Sequence, residues 1–163
     1  MLSQAHVLGI DPGWVTTGLG FWTTRGVFVS SLFMSPREEG GIYKFIQALE
    51  KHLHGINVVE VHIERYVAYE GIHNSASEDI LMVIGALVYF FENHGIRVVL
   101  KRAIDWKPKL CKHLFKTLAF RNPSSSFDKK YSLAAAKALT GRTNITDHEA
   151  DAICIGYPIS TTS

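Results

Sequence analysis

Three acidic residues stand where apolar segments end or begin. Asp11 follows Leu8-Gly9-Ile10 and precedes Pro12-Gly13, Glu64 closes the run from Val58 to Ile63, and Asp151 lies in Thr146-Asp147-His148-Glu149-Ala150-Asp151-Ala152. A carboxylate leaving a hydrophobic strand or helix is costly to bury unless a metal ion or a proton balances it. Each acid also has an ordinary reading. An Asp before Pro-Gly often bonds its own turn, and Glu64 could pair with Arg65. Asp147 could simply meet the positive end of a helix, and a lone His148 is more often a surface residue than a ligand. A second feature is the basic run. Nine of the seventeen Lys and Arg residues fall between Lys101 and Lys130, opposed there only by Asp105 and Asp128. Such a field suits a polyanion, and a solvated helix face gives the same count.

The elements that must carry these residues follow from periodicity. His6 to Asp11, Thr16 to Trp22 and Val27 to Met34 read as an antiparallel meander turning at Pro12-Gly13 and around Thr24-Arg25-Gly26. Pro12 fixes one backbone angle and Gly13 is expected to take a positive one, so the chain leaves the sheet sharply after Asp11. Gly40 to His54 has helical spacing. Asn57 to Glu64 alternates, with Val59, Val61 and Ile63 against Val58, Glu60, His62 and Glu64. Asn74 to Asn93 is an apolar helix, buried or at an interface around Gly85-Ala86. Gly95 to Arg102 is a strand, and helices follow at about Pro108 to Phe120, Lys129 to Thr140 and Asp147 to Tyr157, with a loop at Pro123-Ser124-Ser125-Ser126. Thr146 and Glu149 make a capping box that opens the last helix. His148 and Asp147 then share a face with Asp151, three and four residues on. The order predicts an α/β protein with a mixed sheet covered by helices.

Length and composition agree with one domain, residues 1–158, and a short tail, 159–163. At 163 residues, 47% hydrophobic and a net charge of +2, the chain has enough apolar mass for one core and is no polycation. Cys111 and Cys154 lack metal-ligand spacing and read as buried thiols of a reduced, intracellular protein. No signal peptide or membrane span is legible, which gives the expectation of a cytoplasmic, nucleoid-associated protein.

Gly9-Ile10-Asp11-Pro12-Gly13, Ile63-Glu64 and His148-Glu149-Ala150-Asp151-Ala152 resemble the motifs of RuvC-type Holliday junction resolvases, in order and spacing, over nearly the whole chain. The resemblance implies a ribonuclease H-like fold with a mixed five-stranded sheet. It implies an endonuclease that cuts four-way DNA junctions in paired, symmetric positions and leaves 5′-phosphates. The catalytic set would be Asp11, Glu64, His148 and Asp151. These would also hold two Mg2+ or Mn2+ ions, with Asp147 as a further carboxylate. Asp11 would bridge, Asp151 would join it on one ion and Glu64 would take the other, while His148 ligates or orients water. The family often has glutamine after the strand glutamate, where this chain has Arg65, and Tyr66 or Tyr69 would be the aromatic that stacks on unpaired bases. Phosphate contacts are expected from Arg65, Lys101, Arg102, Lys107, Lys109, Lys112, Lys129 and Lys130. A homodimer matches a nearly two-fold junction, and a branch-migration helicase is a further expected partner.

Three other readings compete. A nuclease of the same fold could take RNA:DNA hybrid, RNA or other branched DNA. An actin-like phosphotransferase would need about twice this length. A binding module without catalysis would need cations and no clustered acids.

Overall fold

The computed structural model describes residues 4–33, 40–66, 75–107, 109–110 and 129–157. The serine loop at 123–126, the tail at 159–163, Tyr69, Cys111 and Lys112 lie outside these residues. Five strands form one mixed sheet in the order β3-β2-β1-β4-β5. They are β1 Ala5–Asp11, β2 Thr16–Thr23, β3 Gly26–Phe33, β4 Asn57–Arg65 and β5 Arg97–Arg102. β1 to β3 are the expected antiparallel meander, while β4 joins β1 and β5 in parallel. The helices are α1 Gly41–Leu53, α2 Ser75–Asn93, α3 described at 103–107 and 109–110, α4 Lys129–Thr140 and α5 Asp147–Gly156. Helix α3 therefore starts directly after β5, five residues before the expected start at Pro108. Arg102 donates to both oxygens of Asp105, at 2.7 and 2.9 Å, across this junction.

Alternation sorts the sheet into two faces. Leu8, Ile10, Leu19, Phe21, Val61 and Ile63 point to α1 and α2, where Phe45, Leu49, Leu87 and Phe91 complete the main core. Fully burying one such side chain is worth roughly 1.5–3 kcal/mol, so this face dominates stability. The expected alternation of β4 breaks once. His6 pairs with Val58 but Val7 pairs with Glu60, so Val59 is an extra residue in a bulge. Val58 consequently joins the core with Val61, and Val59 is left 47% exposed.

The other face receives α5. Three glycines make the landing: Gly9 and Gly20 are register partners, and Gly18 pairs with Asp11. A Cβ on Gly9 would lie 2.0 Å from the Ala152 carbonyl oxygen, and one on Gly18 would lie 2.0 Å from that of His148. The helix backbone thus rests directly on the strands. Its far end is tied by Trp22 Nε1, which donates to the Ile153 carbonyl at 2.9 Å, and by Lys101 Nζ, which donates to the Ile155 carbonyl at 2.9 Å. These donors satisfy carbonyls that a helix end leaves without intrahelical partners. Flanking α5, Trp106, Leu110, Ala135, Cys154 and Ile155 form a second cluster, and Ala136, Ile145, Ala150 and Ile153 a third.

Candidate active site

The parallel register of β1 with β4 runs to Ile10 opposite Ile63. The next residues, Asp11 and Glu64, therefore stand side by side on the α5 face. Gly18 opposite Asp11 lets the first turn of α5 sit over them. That turn is fixed by the capping box: Glu149 N–H donates to Thr146 Oγ1 at 3.3 Å, and Thr146 N–H donates to Glu149 Oε2 at 2.9 Å. From it, His148 Nδ1 reaches Asp11 Oδ2 at 2.8 Å. The sharp exit after Asp11 is closed by Thr17, whose hydroxyl donates to the Gly13 carbonyl at 3.3 Å.

Electrostatics tie the third acid to the other two. Glu64 is pushed up to about 7, first by burial and then by the negative charges of Asp11 and Asp151. The positive charge of Lys107 and the indole N–H of Trp106, which donates to Glu64 Oε2 at 3.1 Å, act the other way. A cation among these carboxylates would relieve their mutual repulsion. Next to Asp151, the buried Cys154 thiol is raised by desolvation and serves packing.

The remaining expected site residues divide. Lys107 belongs to the site: its Nζ lies 5.3 Å from the Trp106 ring centre, and its charge acts on Glu64. Lys101, expected as a phosphate contact, is engaged within the fold. It is half-buried, donates to the Ile155 carbonyl, and is pushed down to about 8 by burial. Arg102 is exposed and paired with Asp105, and Lys109 is exposed beside them. Alternation sends Arg65 to the face opposite Glu64, so the two do not pair; Arg65 is exposed at the strand end. Tyr66 is held in the fold, its hydroxyl 3.0 Å from Ser77 Oγ and its ring against the main core. Asp147 is half-buried in the first turn and is not among the charges acting on Glu64. Lys129 and Lys130 open α4, and their side chains lie outside the described part of the molecule. Gly13 does not adopt a positive φ. Space is its reason, because a Cβ there would lie 1.9 Å from the Thr16 carbonyl oxygen. Trp106 is the residue that sequence reasoning missed. Its signal was an isolated large apolar residue between Asp105 and Lys107.

As placed, no three His, Cys, Asp or Glu side chains among the described residues are gathered closely enough to enclose a metal ion. In kind the donors nevertheless fit one. Asp11, Glu64 and Asp151 offer hard oxygens of the kind Mg2+ and Mn2+ take, and the negative charges of Asp11 and Asp151 reach Glu64.

No family model matches this sequence, and no curated protein does. Among solved structures, the chain is similar to Thermus thermophilus RuvC in complex with Holliday junction substrate, with a TM-score of 0.70, 19% identity and coverage of 93% of this chain and 90% of that one. A second Thermus thermophilus RuvC structure gives 0.68 at 18% identity over the same shares. Fowlpox virus resolvase in complex with Holliday junction DNA gives 0.53 at 14% identity, covering 92% and 94%. The chain thus has the ribonuclease H-like fold of RuvC.

Proposed function

We propose that this protein is a metal-dependent endonuclease of the RuvC type that resolves four-way DNA junctions. The observation that carries the reading is that β1 and β4 bring Asp11 and Glu64 out side by side beyond the Ile10–Ile63 pair. They lie under the turn of α5 from which His148 contacts Asp11, and the charge of Asp151 acts on Glu64. The similarity in fold to two proteins solved with Holliday junction DNA supports the substrate class. A fold alone hosts many chemistries, so the site decides among them.

Asp11, Glu64 and Asp151 would hold two Mg2+ or Mn2+ ions, which activate water and shield the phosphate charge. His148 orients Asp11 through its 2.8 Å contact. Lys107 places a cation beside the acids, where it meets a backbone phosphate without reading sequence. Trp106, only 3% exposed, keeps water from the inner side of Glu64. Two sites on a homodimer would match the two strands to be cut. The exposed Leu81, Met82 and Tyr89 on α2 support that partner face. No helix among the described residues is long and apolar enough to cross a membrane.

The test is cleavage of a mobile four-way junction with and without Mg2+ or Mn2+, beside linear duplex and RNA:DNA hybrid. Paired symmetric nicks on the junction, only with metal, are expected. Asp11→Asn should still bind the junction while cleavage falls at least about a hundredfold, more than losing an outer partner of a metal ligand costs. Cleavage of the hybrid alone would move the protein to another branch of the fold. Unchanged cutting by Asp11→Asn would remove the acids from the chemistry.

A further inference from the structure

We infer that Trp106 is a positioning residue for the metal-binding carboxylate Glu64, an assignment that rests on the metal-nuclease reading. The indole Nε1 donates to Glu64 Oε2 at 3.1 Å, across 42 residues of sequence. A carboxylate has two oxygens and about four acceptor sites. The indole occupies one site on Oε2, fixes the rotation of the carboxyl group, and leaves Oε1 as the oxygen to meet a cation.

The ring that carries this donor is itself immobilised. Trp106 is 3% exposed and packs in one cluster with Leu110 of α3, Ala135 of α4, and Cys154 and Ile155 of α5. One of its faces also carries Lys107, whose Nζ is 5.3 Å from the ring centre. A single side chain therefore holds Glu64 on the inner side and supports the described lysine whose charge reaches it. Outer partners of metal ligands act in this way, by fixing the ligand before the ion arrives. Neutral N–H donors suit the role, since a cationic partner would compete with the metal for the carboxylate.

Packing alone would explain the burial but not the hydrogen bond, and the two accounts separate experimentally. Mn2+ binding to the protein without DNA is followed by titration calorimetry for wild type, Glu64→Gln, Trp106→Phe and the double variant, with a thermal melt of each. Trp106→Phe should weaken Mn2+ binding about tenfold. It should add little once Glu64→Gln is present, because the two effects share one path. If Trp106→Phe does not fold, suppression at position 106 with benzothienylalanine keeps the ring volume and removes only the N–H. Unchanged or tighter Mn2+ binding in the variant, beside a lowered Tm, would reduce Trp106 to a core residue. A wild type that binds no Mn2+, or whose binding is indifferent to Glu64→Gln, would overturn the metal reading and this assignment with it.

Discussion

Glu64 is a residue whose protonation couples stability to pH. Its folded value of about 7 lies above the ordinary 4.5 of the free carboxyl. Between those values the folded protein binds more protons than the unfolded chain, so stability falls as pH rises through the window. The metal-free protein should therefore lose on the order of 5 °C in Tm between pH 5 and pH 7.5 from this group. Melts of wild type against Glu64→Gln check it: the variant should lack that part of the slope. On the proposed metal site, saturating Mg2+ at pH 7.5 should return the lost stability, the ion taking the place of the proton. Equal slopes in the two proteins would mean that Glu64 titrates normally. At this scale the sequence was informative where a residue's meaning is local. Asp11 and Glu64 were legible as strand-end acids, and Asp151 as one turn beyond a cap. Trp106 was not, since its partner is 42 residues away and only the fold brings them together. The same holds for Lys101, whose partner is a helix carbonyl 54 residues on.

Among the elements, α5 decides whether the acids converge, and glycine decides where α5 lies. Gly18→Ala would place a methyl group 2.0 Å from the His148 carbonyl oxygen, 2.9 Å from Glu149 N and against backbone that has nowhere to go. The expected cost is roughly 3 kcal/mol of stability, at the upper end for overpacking. Because the clash falls at the first turn, His148 would also lift from Asp11. Junction cutting should then fall further than a denaturant-melt loss of that size explains at assay temperature. A variant that is destabilised but cuts normally once folded would show that the landing sets stability alone. Strand and helix limits were largely legible, since hydrophobic periodicity reports burial directly; Lys129–Thr140 matches the expected span. The bulge at Val59 and the early start of α3 were not, because each depends on pairing or on a short side-chain contact rather than on period.

For the molecule as a whole, the described cations of the basic run are unequally placed. Lys101 is turned inward and Arg102 is paired, whereas Lys107 stands by Glu64 and Lys109 is exposed near Asp105. Lys107→Ala with Lys109→Ala should weaken junction binding and reduce the slope of log affinity against log salt by about 2, near 0.9 for each phosphate no longer neutralised. Lys101→Ala should instead lower Tm and leave the salt slope alone. Binding isotherms at several salt concentrations decide between these outcomes. A slope lowered by Lys101→Ala would put that lysine back on the DNA. That the sheet joins an antiparallel meander to a parallel part was legible from the sequence of elements, because strand-helix-strand crossovers permit few topologies. Which lysines face outward was not, since that depends on strand parity and on what caps α5.

The bulge at Val59 also has a consequence for inherited changes in chain length. It lets the entry of β4 carry one residue more than its neighbour, while pairing from Glu60 onward stays in step with β1. Loss of one residue at positions 58–59 would disturb only the start of the strand. The same loss between Glu60 and Ile63 would turn Glu64 over to the side of α1 and α2, since side chains alternate strictly along a strand. Along its length, β4 thus has one end open to insertion and deletion and one end closed to it.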